Sequence, residues 1–189
     1  MRTLEKVARS IVKVLNELKI DYAIVGGIAV ASWGNIRTTR DVDVIMALEE
    51  KKIRKLVNAL KTENFSISEK DVRDSLKEKT HFTIFDKLSE YRIDAKGAYG
   101  EKEIRTLKTK KSVYFGELKG YVASPEDTIA NKLAFGSEQD IKDAEGIYVR
   151  RMKKLDMRYL EKICRETGVY DDFLEMKKRV KKHLRELKK

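Results

Sequence analysis

Asp41 and Asp43 are separated by one valine in the run DVDVIMA, residues 41–47. On a β-strand, side chains two apart point the same way, so both carboxylates share a face. Held side by side they repel unless a cation stands between them or one takes a proton. Magnesium suits such a place, because it prefers hard oxygen ligands and completes its shell with water and phosphate oxygens. A third carboxylate, Asp94, lies in YRIDAK, with Arg92 on its own face and Tyr91, Ile93 and Ala95 on the other. In a site of two metal ions one carboxylate can bind the ion that activates an attacking hydroxyl, and Asp94 is the candidate. The competing expectation for Asp94 is an exposed edge-strand aspartate paired with Arg92.

Upstream of the aspartates stand two adjacent glycines, Gly26 and Gly27. A turn without side chains lets a phosphate approach the main chain and can aim several N–H groups at it. If Gly27 opens a helix, the helix N-terminus adds partial positive charge. No Gly-Lys-Ser or Gly-Lys-Thr follows, so this is not a P-loop, and no third glycine completes a dinucleotide fingerprint. Ser32, Arg37 and Arg40 lie between the glycines and the aspartates. A serine on the following helix can touch phosphate, and arginines can bind phosphate oxygens in pairs. The bland alternative for all three is a polar stretch that ends a helix.

Particular elements must hold these groups. Leu4, Val7, Ala8, Ile11, Leu15 and Leu18 fall at helical spacing and predict an amphipathic first helix. DYAIVGG reads as a short buried strand ending in a turn, and GIAVASWG as a small-residue helix packed on a sheet. DVDVIMA has the texture of a central strand. Ile53, Leu56, Val57 and Leu60 predict another helix. The middle reads as strand-rich: HFTIFD, then YRIDAKGAY, then a strand, turn and strand in SVYFGELKGYVAS. From Ser124 onward the pattern is helical. Ser124 can cap a helix with Pro125, the sole proline, at its first position, and Ser137, Asp156 and Asp171 are candidate caps for the next three. The expected division is residues 1–123 as an α/β core and 124–189 as a helical region.

The chain has 189 residues, 41% of them hydrophobic, which suits one domain or one domain with a helical extension and argues against disorder. No apolar run approaches the ~20 residues of a membrane span, and the charged N-terminus lacks the apolar core of a signal peptide. The expectation is a cytoplasmic protein without a membrane partner. A single cysteine, Cys164, rules out an internal disulfide and predicts a packed thiol. His81 and His183 are too isolated to form a metal site. Trp33, Tyr148 and Tyr159 are expected to pack. Charged residues reach 39% with a single glutamine, a profile seen in proteins of hot environments. From Lys177 to Lys189 there are eight Lys or Arg against one Glu, which accounts for most of the net charge of +11. That cluster is either a solvated helix end or a nucleic-acid footprint.

The succession of strand, Val25-Gly26-Gly27, short helix and Asp41-Val42-Asp43 resembles the polymerase-beta-type nucleotidyltransferase superfamily, with the thirteen-residue spacer at the long end of that pattern. Asp94 falls where that family's third carboxylate would. Downstream, Lys132-Leu133 and Asp140-x-x-Asp143 are similar to the helical part of the AbiEii-like abortive-infection nucleotidyltransferase toxins, except that Gln139 stands where they carry a basic residue. The resemblance implies an α/β nucleotidyltransferase fold with a mixed central sheet and a C-terminal helical portion. It further implies two magnesium ions on Asp41, Asp43 and Asp94, and NTP phosphates on Gly26 and Gly27. Ser32, Arg37, Arg40 and Lys132 would assist the nucleotide. The reaction would move an NMP from an NTP to a hydroxyl on RNA, tRNA included, or on protein, with the basic C-terminal helix as an RNA dock and an antitoxin as possible partner. The alternative on the same fold is an inactive nucleotide- or nucleic-acid-binding module.

Overall fold

A computed structural model describes residues 2–34 and 37–186. The chain divides into two compact units, one of Met1–Ile28 with Thr38–Ala123 and one of Ala29–Arg37 with Ser124–Lys189.

The first unit is built on a mixed seven-stranded sheet. Its strands are β1 (Asp21–Ile24), β2 (Asp41–Ala47), β3 (Phe65–Ser66), β4 (His81–Asp86), β5 (Arg92–Gly97), β6 (Lys111–Phe115) and β7 (Leu118–Val122), in the spatial order β3-β4-β5-β2-β1-β7-β6. β2 runs parallel to β5 and antiparallel to β1, so the two carboxylate-bearing strands are adjacent and interior. One face of these strands is core: Val42, Val44, Met46, Ile84, Ile93 and Ala95 are all but fully buried. Apart from the small Ala95, each of these side chains contributes about 1.5–3 kcal/mol of burial. This fixes the register, since a slip of one residue would turn the aspartates inward.

Helix α1 (Leu4–Glu17) packs on β1, β2 and β7, burying Val7, Ala8, Ile11 and Leu15 of the expected stripe together with Val12 and Val14, while Leu4 is half-buried and Leu18 is the half-buried C-cap residue. The Thr3 hydroxyl caps it, accepting from the Lys6 amide. α2 (Gly26–Ser32) follows β1 after one residue, so both glycines lie in its first turn rather than in a turn before it. α3 (Ile53–Thr62) buries Ile53, Leu56, Val57 and Leu60 as expected. Two further helices occupy the stretch read as strand-rich, α4 (Glu69–Glu78) and α5 (Glu101–Thr109). Each buries little, Val72 and Ser75 in one and Thr106 and Leu107 in the other, so neither carries a legible apolar stripe.

The second unit is helical: α6 (Pro125–Phe135), α7 (Glu138–Arg151), α8 (Met157–Glu166) and α9 (Tyr170–Glu186). Ser124, Ser137 and Asp156 cap the first three, accepting from the amides of Asp127, Asp140 and Tyr159. Asp171 lies inside the first turn of α9 and not at its cap, where its charge still favours the helix dipole. α6 is central, packed by α7, α8 and α9 and buried at eight of its eleven positions. Two of its buried acids are paired within the unit: Glu126 accepts from the Asp156 amide, and Asp127 from the Ser124 and Tyr159 hydroxyls, whereas the buried Asn131 Oδ1 has no hydrogen-bond partner among the described residues. Cys164 is a packed thiol with no exposure, and burial pushes its pKa up to about 12. Trp33 is buried beneath the Arg151 guanidinium, 5.1 Å from its ring centroid, and Tyr148 packs edge-on against Phe173. Among the described residues no helix is long and apolar enough to cross a membrane.

Candidate active site

The parallel register of β2 and β5 sets Asp43 beside Asp94, and Asp41 beside Arg92. All four side chains rise from the face opposite the core, where strand alternation puts them. Thr83 of β4, opposite Asp94 in the next ladder, joins them and donates its hydroxyl to Asp94 Oδ1 at 2.8 Å. Arg92 Nε donates to Asp94 Oδ2 at 3.1 Å, while its Nη2 lies 3.7 Å from Asp41 Oδ2. The Asp94–Arg92 pair foreseen for an edge strand therefore forms on an interior strand, and the guanidinium also serves Asp41. Thr39 donates its hydroxyl to Asp41 Oδ1 at 3.0 Å.

Gly26 stands against this group. Its φ is +61°, a left-handed conformation that glycine adopts without strain. A Cβ there would lie 2.7 Å from Asp43 Cγ and closer still to Oδ2. At Gly27 a Cβ would meet Thr39 Cβ at 2.7 Å and Oγ1 at 2.8 Å. At both glycines a Cβ would therefore force the facing side chain, Asp43 or Thr39, to shift. The Val25 amide donates to the Asp43 carbonyl at 2.9 Å, tying the start of the glycine segment to β2.

The donor set has the chemistry of a magnesium site: carboxylate oxygens from adjacent strands, on one accessible face. As placed, among the described residues no three His, Cys, Asp or Glu side chains converge closely enough to hold a metal ion. The cation between Asp41 and Asp94 is Arg92, whose side chain is 53% exposed and so has room to leave. The residues fit the ion in type and in face, with Arg92 neutralising the carboxylates.

Of the other residues singled out in sequence, Arg40 belongs to the first unit, and Ser32, Arg37, Lys132, Asp140 and Asp143 belong to the second. Asp143, fully buried, accepts from the Arg37 guanidinium, from Gln139 Nε2 at 3.0 Å, and pairs with Lys132 Nζ at 3.4 Å. Lys132 also donates to Asp140 Oδ1. The Asp140 carboxyl lies below its usual range; burial opposes this most, but hydrogen bonds from Lys132 and Ser137 outweigh it. Lys132 is neither solvated nor open: it is 7% exposed and paired twice. The Ser32 carbonyl accepts from Arg151, and Arg40 is exposed. Thr39 and Thr83 escaped the sequence reading, and Gln139 stood out there only as a departure from a basic residue. Thr39, two residues before Asp41, was the one with a local signal, since a hydroxyl at that offset can reach back to a carboxylate.

The chain belongs to the family described as "Nucleotidyltransferase of unknown function (DUF6036)", whose profile matches residues 2–187. No curated protein matches it. Its fold is similar to that of an antigenic nucleotidyltransferase-like protein from Paracoccidioides brasiliensis, at 17% identity and a TM-score of 0.57, covering 94% of this chain and 92% of that one. It is also similar to ANT(2")-Ia in complex with adenylyl-2"-tobramycin, at 10% identity and a TM-score of 0.59 over 88% of this chain and 98% of that one. The lincomycin-bound lincosamide antibiotic adenylyltransferase LnuA aligns at 14% identity and a TM-score of 0.52, over 78% of this chain and 98% of that one. Family and fold are those of a nucleotidyltransferase, as the glycine pair and the Asp-x-Asp strand led one to expect.

Proposed function

We propose that this protein is a magnesium-dependent nucleotidyltransferase of the cytoplasm, moving a nucleoside monophosphate from an NTP to a hydroxyl acceptor with release of pyrophosphate. The observation that carries the reading is the alignment of Asp41, Asp43 and Asp94 on one face of two adjacent parallel strands, with Gly26 pressed against Asp43. Asp41 and Asp43 would hold magnesium, with Asp94 completing a second ion's place. Bound there, the metal would supply positive charge against the phosphates and lower the pKa of the attacking hydroxyl. With metal held there, Arg92 would be released from its carboxylate partners and would be available to phosphate oxygens. Gly26 and Gly27 leave main-chain N–H groups accessible to the triphosphate. Asp94, held by Thr83, receives or directs the proton of the acceptor hydroxyl. Ser32, Arg37, Arg40 and Lys132 are assigned to nucleotide binding. For Arg37 and Lys132 that role requires exchange of a carboxylate partner for a phosphate. The finer form of the reading, a toxin of the AbiEii-like branch with an antitoxin partner, is supported by Lys132-Leu133 and Asp140-x-x-Asp143 alone.

The test is pyrophosphate release from each NTP in the presence of RNA, tRNA included, and of protein acceptors. Asp94→Asn is expected to retain nucleotide binding and lose transfer by at least about a hundredfold, as removal of a proton acceptor does. A wild type that binds NTP and transfers to no acceptor would leave the binding-module alternative in its place.

A further inference from the structure

Within the second unit, α7 and α9 leave a groove of about 550 Å³. Its floor is apolar: Tyr148 and Met152 from the end of α7, and Leu174, Val180 and Leu184 from α9. Its rim is cationic and carries no acid: Lys177, Lys178, Lys181 and Arg185. Lys177 is engaged, with Glu161 at 3.4 Å and over the Phe173 ring. Arg179, outside the groove, is likewise held by Glu145 and Glu175. Lys178, Lys181 and Arg185 form no ion pair among the described residues, so the rim's positive charge is left without its complement. Met152 keeps 37% of its surface exposed on the floor.

From these features we propose that the groove docks an amphipathic helix of a partner protein, apolar on one face and lined with Asp or Glu along its flanks. The floor supplies what a helix needs, a strip of aliphatic and methionine surface that accepts side chains at spacings of three and four residues. The three unpaired cations lie along α9 at spacings of three and four, matching acids repeated on an opposing helix. α9 spans about 25 Å, room for four turns of such a partner. A nucleic acid fits less well. Its backbone would use the rim and leave the aliphatic floor exposed, and the one aromatic ring of the floor, Tyr148, is 7% exposed and turned onto Phe173, with no face offered for base stacking. The proposal rests on second-unit residues alone and stands whether or not the chain transfers nucleotides.

The experiment uses the full chain and fluorescence anisotropy with three labelled probes: a designed ~20-residue helical peptide with leucines on one face and glutamates on its flanks, the same peptide with lysines on its flanks, and a single-stranded RNA of similar length. The glutamate peptide is expected to bind at least about tenfold tighter than the lysine peptide. Lys178→Glu/Lys181→Glu, changes at exposed positions, should abolish that preference. Met152→Glu should weaken the glutamate peptide about tenfold with the circular dichroism spectrum unchanged. Equal binding of the two peptides overturns the proposal. So does RNA binding that outcompetes the glutamate peptide and ignores Met152→Glu, or a sedimentation result in which a second copy of the chain fills the groove.

Discussion

Replacing Gly26 with alanine tests the geometry of the site through a single methyl group. Two costs follow. The first is conformational: at φ +61° an L residue pays about 1–2 kcal/mol. In a chain of this size that lowers Tm by about 2–8 °C. The second is specific. The new Cβ would stand 2.7 Å from Asp43 Cγ, where ordinary contact begins at 3.4 Å, so the carboxylate carbon must retreat by about 0.7 Å and its nearer oxygen by more. Displacements of about 1 Å at a reacting group cost roughly a hundredfold in rate. Gly168→Ala is the control, since Gly168 has φ +72° and nothing within 4 Å of a built Cβ. Both variants should show a similar fall in Tm by differential scanning calorimetry. Gly26→Ala alone should lose at least about tenfold in magnesium-dependent NTP affinity and about a hundredfold in transfer. A folded Gly26→Ala protein with wild-type binding and transfer would refute the claim that Asp43 and the glycine segment form one site.

Arg92→Ala removes the cation between Asp41 and Asp94, so magnesium should raise its Tm more than it raises that of wild type; an equal or smaller rise contradicts the idea that arginine and metal compete for the same carboxylates. Asp143→Ala takes the carboxylate partner from Arg37 and leaves Lys132 with Asp140 alone, and should cost about 3 kcal/mol, read by urea denaturation. The Cys164 thiol is raised above its unfolded value, to about 12, so the folded state holds its proton more tightly. Its contribution to stability is full below about 9 and falls as pH rises from there toward about 12. Wild type should lose more stability than Cys164→Ala over that interval, and the native thiol should resist aromatic disulfide reagents at pH 8.

The path from β1 through the glycines to β2 was legible because it rests on local chemistry. Alternation puts Asp41 and Asp43 on one face whatever else the chain does, and two adjacent glycines before a small-residue run signal close approach of the backbone. The pairing of Asp43 with Asp94 is a long-range register, and it became readable through the resemblance rather than through periodicity. α4 and α5 were hidden for a physical reason: with so few buried residues apiece they have almost no apolar face. α6 posed the opposite difficulty, being buried nearly all round, and its caps rather than its pattern marked it. Lys132 and the Asp140-x-x-Asp143 segment stood out together through the resemblance, but that the lysine pairs directly with both aspartates depends on the packing of α6 on α7. Arg92 lay in plain view beside Asp94, but its reach to Asp41 depends on the parallel ladder between β2 and β5.

The most direct test of the central claim is isothermal titration calorimetry of ATP, CTP, GTP and UTP into the protein, with magnesium and with EDTA, repeated on Asp41→Asn/Asp43→Asn. The account predicts that at least one NTP binds, that binding disappears with EDTA, and that the double variant, folded by circular dichroism, has lost it. Undiminished binding by the double variant, or binding indifferent to magnesium, would contradict the placing of a metal-assisted nucleotide site on β2.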